Sequence, residues 1–173
     1  MDPRILELHC IMPMDNLSSV LQHGILSYER AAALLHHSVA MPEVQERRDQ
    51  KQVPGGLRLH QYANLYFHAR NPMMYKRLDQ ADALCVLRVN RDVMQLPGVV
   101  LTDQNAASDY VRFLALAQIG EIDMNRVYAL DWRHQDRITF YRQKAAKCAE
   151  VLVPGQVAPP LPDRRARRGR RGP

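Results

Sequence analysis

Residues 53–75 read VPGGLRLHQYANLYFHARNPMMY, and three signals follow one another along them. Val53-Pro54-Gly55-Gly56 is a turn, because Pro presets φ and Gly tolerates conformations closed to other residues. Leu65-Tyr66-Phe67 is a short apolar run rich in aromatic character, which predicts a buried strand. Asn71-Pro72 then supplies an N-cap and a first helical residue, so a helix is expected through Met73, Met74 and Arg77. Turn, buried strand and helix in so short a span, without a βαβ rhythm, argue for an α+β fold.

The flanking sequence extends this pattern. Upstream, residues 4–11 alternate partly between Pro3 and Pro13 and read as a strand. Leu17, Val20 and Leu21 recur at helical spacing before Gly24, giving a helix over 16–23, and a second short helix is expected over 28–36. Residues 37–57 are polar, contain Pro42 and read as one irregular segment of the kind that is often functional. Downstream, strands are expected at 84–89 and 99–101, a helix at 106–119 ended by Gly120, a basic helix at 137–147 and a strand at 149–153.

The 173 residues suffice for one domain with a core, and 46% are hydrophobic. Residues 1–157 are expected to form that domain, and 158–173 a disordered Pro/Arg-rich tail. Six Arg and one Asp fall within 163–173, so most of the net charge of +6 belongs to that tail and the folded part need not be a general polyanion binder. Cys10, Cys85 and Cys148 are far apart, with no CxxC spacing, which fits reduced thiols in a cytoplasm. No apolar run approaches the ~20 residues of a membrane span, and the start MDPRILELHC lacks a signal-peptide core.

Several residues carry candidate chemistry. Glu150 precedes an apolar strand and follows a basic helix end. A carboxylate at a strand edge can stand at a cleft mouth as base or acceptor, or simply face solvent. Arg47 and Arg48 suit a pyrophosphate through their guanidinium forks, or form a solvated charge run with Glu43 and Glu46. His9 lies between Leu8 and Cys10 on the first strand, where a satisfied core histidine is the ordinary outcome. Tyr66 and Phe67 pack a core or stack on a planar ring. The sequence contains no GxGxxG after a strand, no GxxxxGK[ST] and no GxSxG. His36-His37 is no convincing metal site, and His9 and Cys10 point to opposite faces of a strand, which prevents a dyad.

Taken together, LHCIMPMDNLSSVLQHGILS (8–27), VQERR (44–48), the 53–75 stretch, VVLTDQNA (99–106) and KCAEVLV (147–153) resemble the DarT family. These are the toxins of DarTG systems, which attach ADP-ribose to thymidine in single-stranded DNA. The resemblance covers roughly residues 6–156. It implies an ADP-ribosyltransferase fold with split, bent β-sheets and short helices, acting as an NAD+-dependent mono-ADP-ribosyltransferase that releases nicotinamide and uses no metal. By the same resemblance Glu150 and Arg48 are catalytic, and His9, Asn16, Arg48 and Tyr66 hold NAD+. Arg47, Thr102 and Asn105 are expected on the nucleic-acid side. The implied partners are single-stranded DNA and a DarG-like macrodomain antitoxin, in the cytoplasm and away from membranes.

The chain departs from the family pattern in three places. Ile11 stands where a Thr is frequent, Gln104-Asn105 replaces Arg-His after Thr102-Asp103, and Pro-Arg sequence follows the glutamate strand. Guanosine, an RNA base, a protein acceptor and a non-catalytic binding member are the alternatives.

Overall fold

The computed structural model describes residues 1–38 and 41–159. The expected tail therefore lies, from residue 160 onward, outside the described residues.

A six-stranded antiparallel sheet organises the chain. Its strands are β1 (Glu7–Pro13), β3 (Tyr62–Tyr66), β4 (Leu84–Asn90), β5 (Val100–Thr102), β6 (Phe113–Leu114) and β7 (Glu150–Pro154), in the order β4-β1-β3-β7-β5-β6. β2 (Ile25–Leu26) and β8 (Gln156–Val157) form a separate two-stranded ribbon. Gly155 makes the reversal between β7 and β8 with φ of 71°, a left-handed conformation that favours glycine.

Alternation along the strands builds two cores. On one face Leu8, Ala63, Leu65, Phe67, Leu101, Val151 and Val153 pack together with Ile5, Met94 and Val127. On the other face Tyr62 and Leu152 pack with Val53, Leu59 and Ala106. Phe67 thus belongs to the core, while Tyr66 faces the opposite way.

The sheet is divided between β1 and β3. β1 pairs with β4 along its full length, yet meets β3 only where His9 stands opposite Tyr66. β3 in turn pairs with β7 throughout, from Tyr62 opposite Pro154 to Tyr66 opposite Glu150. Past His9 and Tyr66 the two strands part, which is the expected split sheet.

The helices are short: α1 (Leu17–His23), α2 (Tyr28–Ala31), α3 (Pro42–Asp49), α4 (Pro72–Tyr75), α5 (Met124–Val127) and α6 (Arg137–Ala146). Three expectations are corrected. The segment 37–57 is not irregular throughout, because Pro42 starts α3. Residues 106–119 are not helical. β6 pairs with β5, with Leu101 opposite Leu114, and residues 116–121 form a 3-10 turn. The helix-favouring composition there yields to burial of Ala106 and Ala107 and to the sheet edge. The second helix also stops at Ala31 rather than reaching 36. Among the described residues no helix is long and apolar enough to cross a membrane.

Candidate active site

The fork between β1 and β3 holds a cavity of about 370 Å³, within the range of small-molecule sites. Ile11, Met12 and Pro13 line it from β1, and Tyr62, Asn64 and Tyr66 from β3. Ile25, Leu26 and Tyr28 form another wall, and His36, His37 and Met41 a third. The polar lining includes Asn16, Gln45, Arg48, Lys76, Asn105 and Lys144, so an apolar slot is rimmed by amides and cations.

Arg48 and Glu150 meet at this cavity although they are 102 residues apart in sequence. Arg48 Nη1 donates to Glu150 Oε2 at 3.1 Å and lies 3.3 Å from Oε1. Both side chains are buried, Glu150 completely (0% exposed). The carboxylate has one further partner, and the Glu150 backbone amide is bonded as well. Ala106 N donates to Oε1 at 3.2 Å, and Glu150 N donates to Thr102 Oγ1 at 3.0 Å. Glu150 therefore stands on an interior strand, neither at a sheet edge nor facing solvent. Arg48 lines the cavity and Glu150 does not, which places the guanidinium between the carboxylate and the open space.

Sheet register explains why Glu150 is there. Arg88, His9, Tyr66 and Glu150 are successive cross-strand partners over β4, β1, β3 and β7. Directly opposed residues share a face, so the row carries four polar side chains across the sheet. Burial, then the charge of Glu150, push the Tyr66 hydroxyl well above the usual phenol range, and it stays protonated.

The other expected site residues are placed as follows. Asn16 lines the cavity, and its amide is committed to backbone: Nδ2 donates to His37 O at 2.7 Å and Oδ1 accepts from His37 N at 3.0 Å. His9 is not among the lining residues. Its Nε2 is 3.2 Å from Glu7 Oε1, and among the described residues its buried Nδ1 has no hydrogen-bond partner. Arg47 is exposed and its Nε donates to Glu43 O, away from the cavity. Thr102 is a correction: it is fully buried, accepts from Glu150 N and donates to Gln104 O at 2.7 Å, so it presents nothing to a nucleic acid. Asn105 lines the cavity and shapes the turn that aims Ala106 N at Glu150, its Oδ1 accepting from Ala107 N at 2.8 Å.

Sequence reasoning missed two contributors, the buried Lys147 and the half-buried His60. Lys147 is 1% exposed, and its Nζ donates to Val127 O and Ala129 O, each at 2.8 Å. Burial, helped by the charge of Arg70, pulls its ammonium down to about 8. His60 stands beside α3 with contacts at both ring nitrogens. Neither shows in a periodicity, since each depends on elements far apart in sequence. The thiols of Cys10 and Cys148 line the cavity but are pushed up to about 12, first by burial, so neither is a nucleophile at neutral pH. No group of three or more His, Cys, Asp or Glu that could hold a metal ion occurs among the described residues.

A fork-shaped cavity, a buried arginine–glutamate pair and a split antiparallel sheet can be compared with known proteins. The family model described as "ssDNA thymidine ADP-ribosyltransferase, DarT" matches residues 9–161. A DNA ADP-ribosyl transferase–DNA ADP-ribosyl glycohydrolase fusion protein of Thermosipho africanus (strain H17ap60334) is 32% identical over 170 residues, 92% of this chain. The match spans 42% of that fusion protein. The solved Thermus sp. 2.9 DarT in complex with ADP-ribosylated ssDNA is similar with a TM-score of 0.75 at 25% identity, over 88% of this chain and 77% of that one. The same relative in complex with NAD+ is similar in fold, with a TM-score of 0.71 at 22% identity, over 90% of this chain and 78% of that one. With the family model covering most of its length, the chain belongs to the DarT family of ADP-ribosyltransferases.

Proposed function

We propose that the domain, residues 1–157, transfers ADP-ribose from NAD+ to thymidine in single-stranded DNA and releases nicotinamide. The observation that carries this reading is the Arg48–Glu150 pair at the cavity in a DarT-family chain. The lining fits the co-substrate: Ile11, Ile25, Leu26 and Tyr28 offer apolar contact for flat rings, Arg48 offers a guanidinium for phosphate, and Asn16, its amide held by His37, keeps a second N–H and a second lone pair for the ribose. His9, in the same sheet row as Tyr66 and Glu150, belongs to the NAD+ side of the site in this reading.

The chemistry follows from these groups. When the nicotinamide–ribose bond breaks, the leaving ring nitrogen takes the electron pair and positive charge develops at the ribose carbon. Glu150 lies in a water-excluded place where a carboxylate stabilises such charge strongly. The attacking thymine nitrogen forms the new bond to that ribose carbon and releases its proton to solvent, and a neighbouring guanidinium favours its anionic form. Arg48 donates to Glu150, and in this reading its guanidinium shifts from the carboxylate toward the phosphates or the base as substrate binds. Ser and Thr hydroxyls contribute no nucleophile, since the acceptor supplies it.

The remaining assignments belong to the same reading. Arg47 and Asn105 serve the nucleic-acid side, with Thr102 acting behind them on Glu150. The Arg-rich 163–173 segment adds phosphate attraction without base preference. The fusion relative joins a transferase to a glycohydrolase, which supports an antitoxin partner that removes the mark, with both in the cytoplasm. Incubation with labelled NAD+ and single-stranded oligonucleotides of each base composition tests the proposal. Label on thymidine-containing DNA supports it. Label confined to another base or to protein, or no label at all, overturns it.

A further inference from the structure

Arg48 can act only where α3 holds it, and α3 has no apolar face to dock. Its sequence is PEVQERRD, and Arg48 is its only buried residue. Gln45, Arg48 and Asp49 are spaced i, i+3 and i+4 and so share one side of the helix. Arg48 reaches Glu150 from that side. The other two reach a single side chain, His60, in the 3-10 turn Leu59–Gln61. His60 Nε2 is 3.0 Å from Gln45 Oε1, and His60 Nδ1 is 3.3 Å from Asp49 Oδ1. The flat side of the ring is stacked on Tyr28, with centroids 4.2 Å apart and planes at 28°. Tyr28 in turn lines the cavity.

We infer that His60 is a positioning residue for the transfer reaction: it clamps α3 through Gln45 and Asp49 and thereby sets where the Arg48 guanidinium meets Glu150. The inference rests on the transferase reading above. Imidazole suits the task because its two nitrogens lie on opposite edges of one rigid ring, and each faces a helix residue one turn from the other. A neutral ring donates from Nδ1 to the Asp49 carboxylate and accepts at Nε2 from the Gln45 amide, turned to present its NH2. A charged ring donates at both positions, with the amide oxygen toward it. The clamp thus holds in either protonation state. Arg48 and Asp49 are the charged groups facing the ring, and Tyr28 covers it.

The test compares single and double variants in steady-state transfer from NAD+ to single-stranded DNA. His60→Ala should lower kcat by about 10- to 100-fold, the scale on which a catalytic group displaced by an ångström fails. The KM for NAD+ should stay within about twofold, because His60 does not itself line the cavity. In an Arg48→Ala background, His60→Ala should cost nothing further, since both act through one group. His60→Gln, which keeps one amide within reach of α3, should recover part of the rate. Gln45→Ala, which leaves the ring untouched, should give a smaller loss of kcat in the same direction. Equal losses in both backgrounds, or a loss confined to KM, overturn the inference. Amide hydrogen exchange over 42–49 needs no activity at all: it should quicken in His60→Ala, and unchanged exchange overturns the clamp. A wild-type chain that modifies no DNA defeats the transferase reading alone, and the exchange result then still decides the clamp.

Discussion

β7 and α3 each deliver one charged side chain to the same ion pair, and they are held in opposite ways. β7 lies between β3 and β5, with Val151, Leu152 and Val153 all buried. Burying such side chains contributes about 1.5–3 kcal/mol each, so Glu150 is fixed by the core of the molecule. α3 carries Val44 as its one large aliphatic side chain and is held by Arg48–Glu150, the His60 contacts and the neighbouring Lys51–Asp109 pair. The two partly exposed contacts, His60–Asp49 and Lys51–Asp109, contribute about 0–1 kcal/mol each. The carboxylate is therefore held by the core, whereas Arg48 is carried by a helix whose remaining contacts are weak.

The largest expected effect breaks the core-held half. Glu150→Gln keeps the shape but removes the charge, and transfer should fall by at least ~100-fold, with a lowered melting temperature because the buried Arg48 loses its counter-charge. Near-normal transfer by this variant would remove Glu150 from the chemistry. The helix-borne half comes next. Arg48→Ala should lower kcat by about 100-fold, Arg48→Lys should recover little because it lacks the planar fork, and Arg47→Ala should behave as wild type. If the two arginines exchange these results, the partner assigned from the 3.1 Å contact is the wrong one.

Smaller effects sharpen the contrast. Thr102→Val removes the acceptor for Glu150 N without changing volume and leaves that buried donor unpaired, a cost of about 1–3 kcal/mol. Chemical denaturation should register that loss, whereas Asn16→Ala at the cavity rim, just before α1, should register less. The smallest effect is a pH dependence. Lys147 is pulled down to about 8 in the folded chain, against 10.5 for an ordinary lysine. Between those values the unfolded chain binds the extra proton, so this residue's contribution to stability is lowest below pH 8 and rises toward pH 10.5. The melting temperature of wild type relative to Lys147→Met should climb over that interval. A constant difference would show that Lys147 does not change its charge there.

Local chemistry made some features legible and hid others. β3 and β7 were readable because each is a short apolar run with turn residues beside it, and α4 because Asn71 accepts from Met74 N with Pro72 at the first helical position. α3 was not readable as a periodic element, since a helix anchored by polar contacts has no apolar stripe. Only Pro42 and the basic last turn marked it. Residues 106–119 misled for the opposite reason: alanines with a helix-favouring composition were placed by the core and by β5.

The sequence alone determined the α+β class and the family resemblance and marked Glu150 and Arg48 as candidates, because these rest on residue types in fixed order. Tertiary structure decided what those residues face. Pairing across β1, β3 and β7 put His9, Tyr66 and Glu150 in one row. The parting of β1 from β3 opened the cavity, and α3 brought Arg48 over a carboxylate 102 positions away. Thr102 and His60 acquired their tasks only through such contacts, since a hydrogen-bond partner distant along the chain is fixed by packing and leaves no local trace.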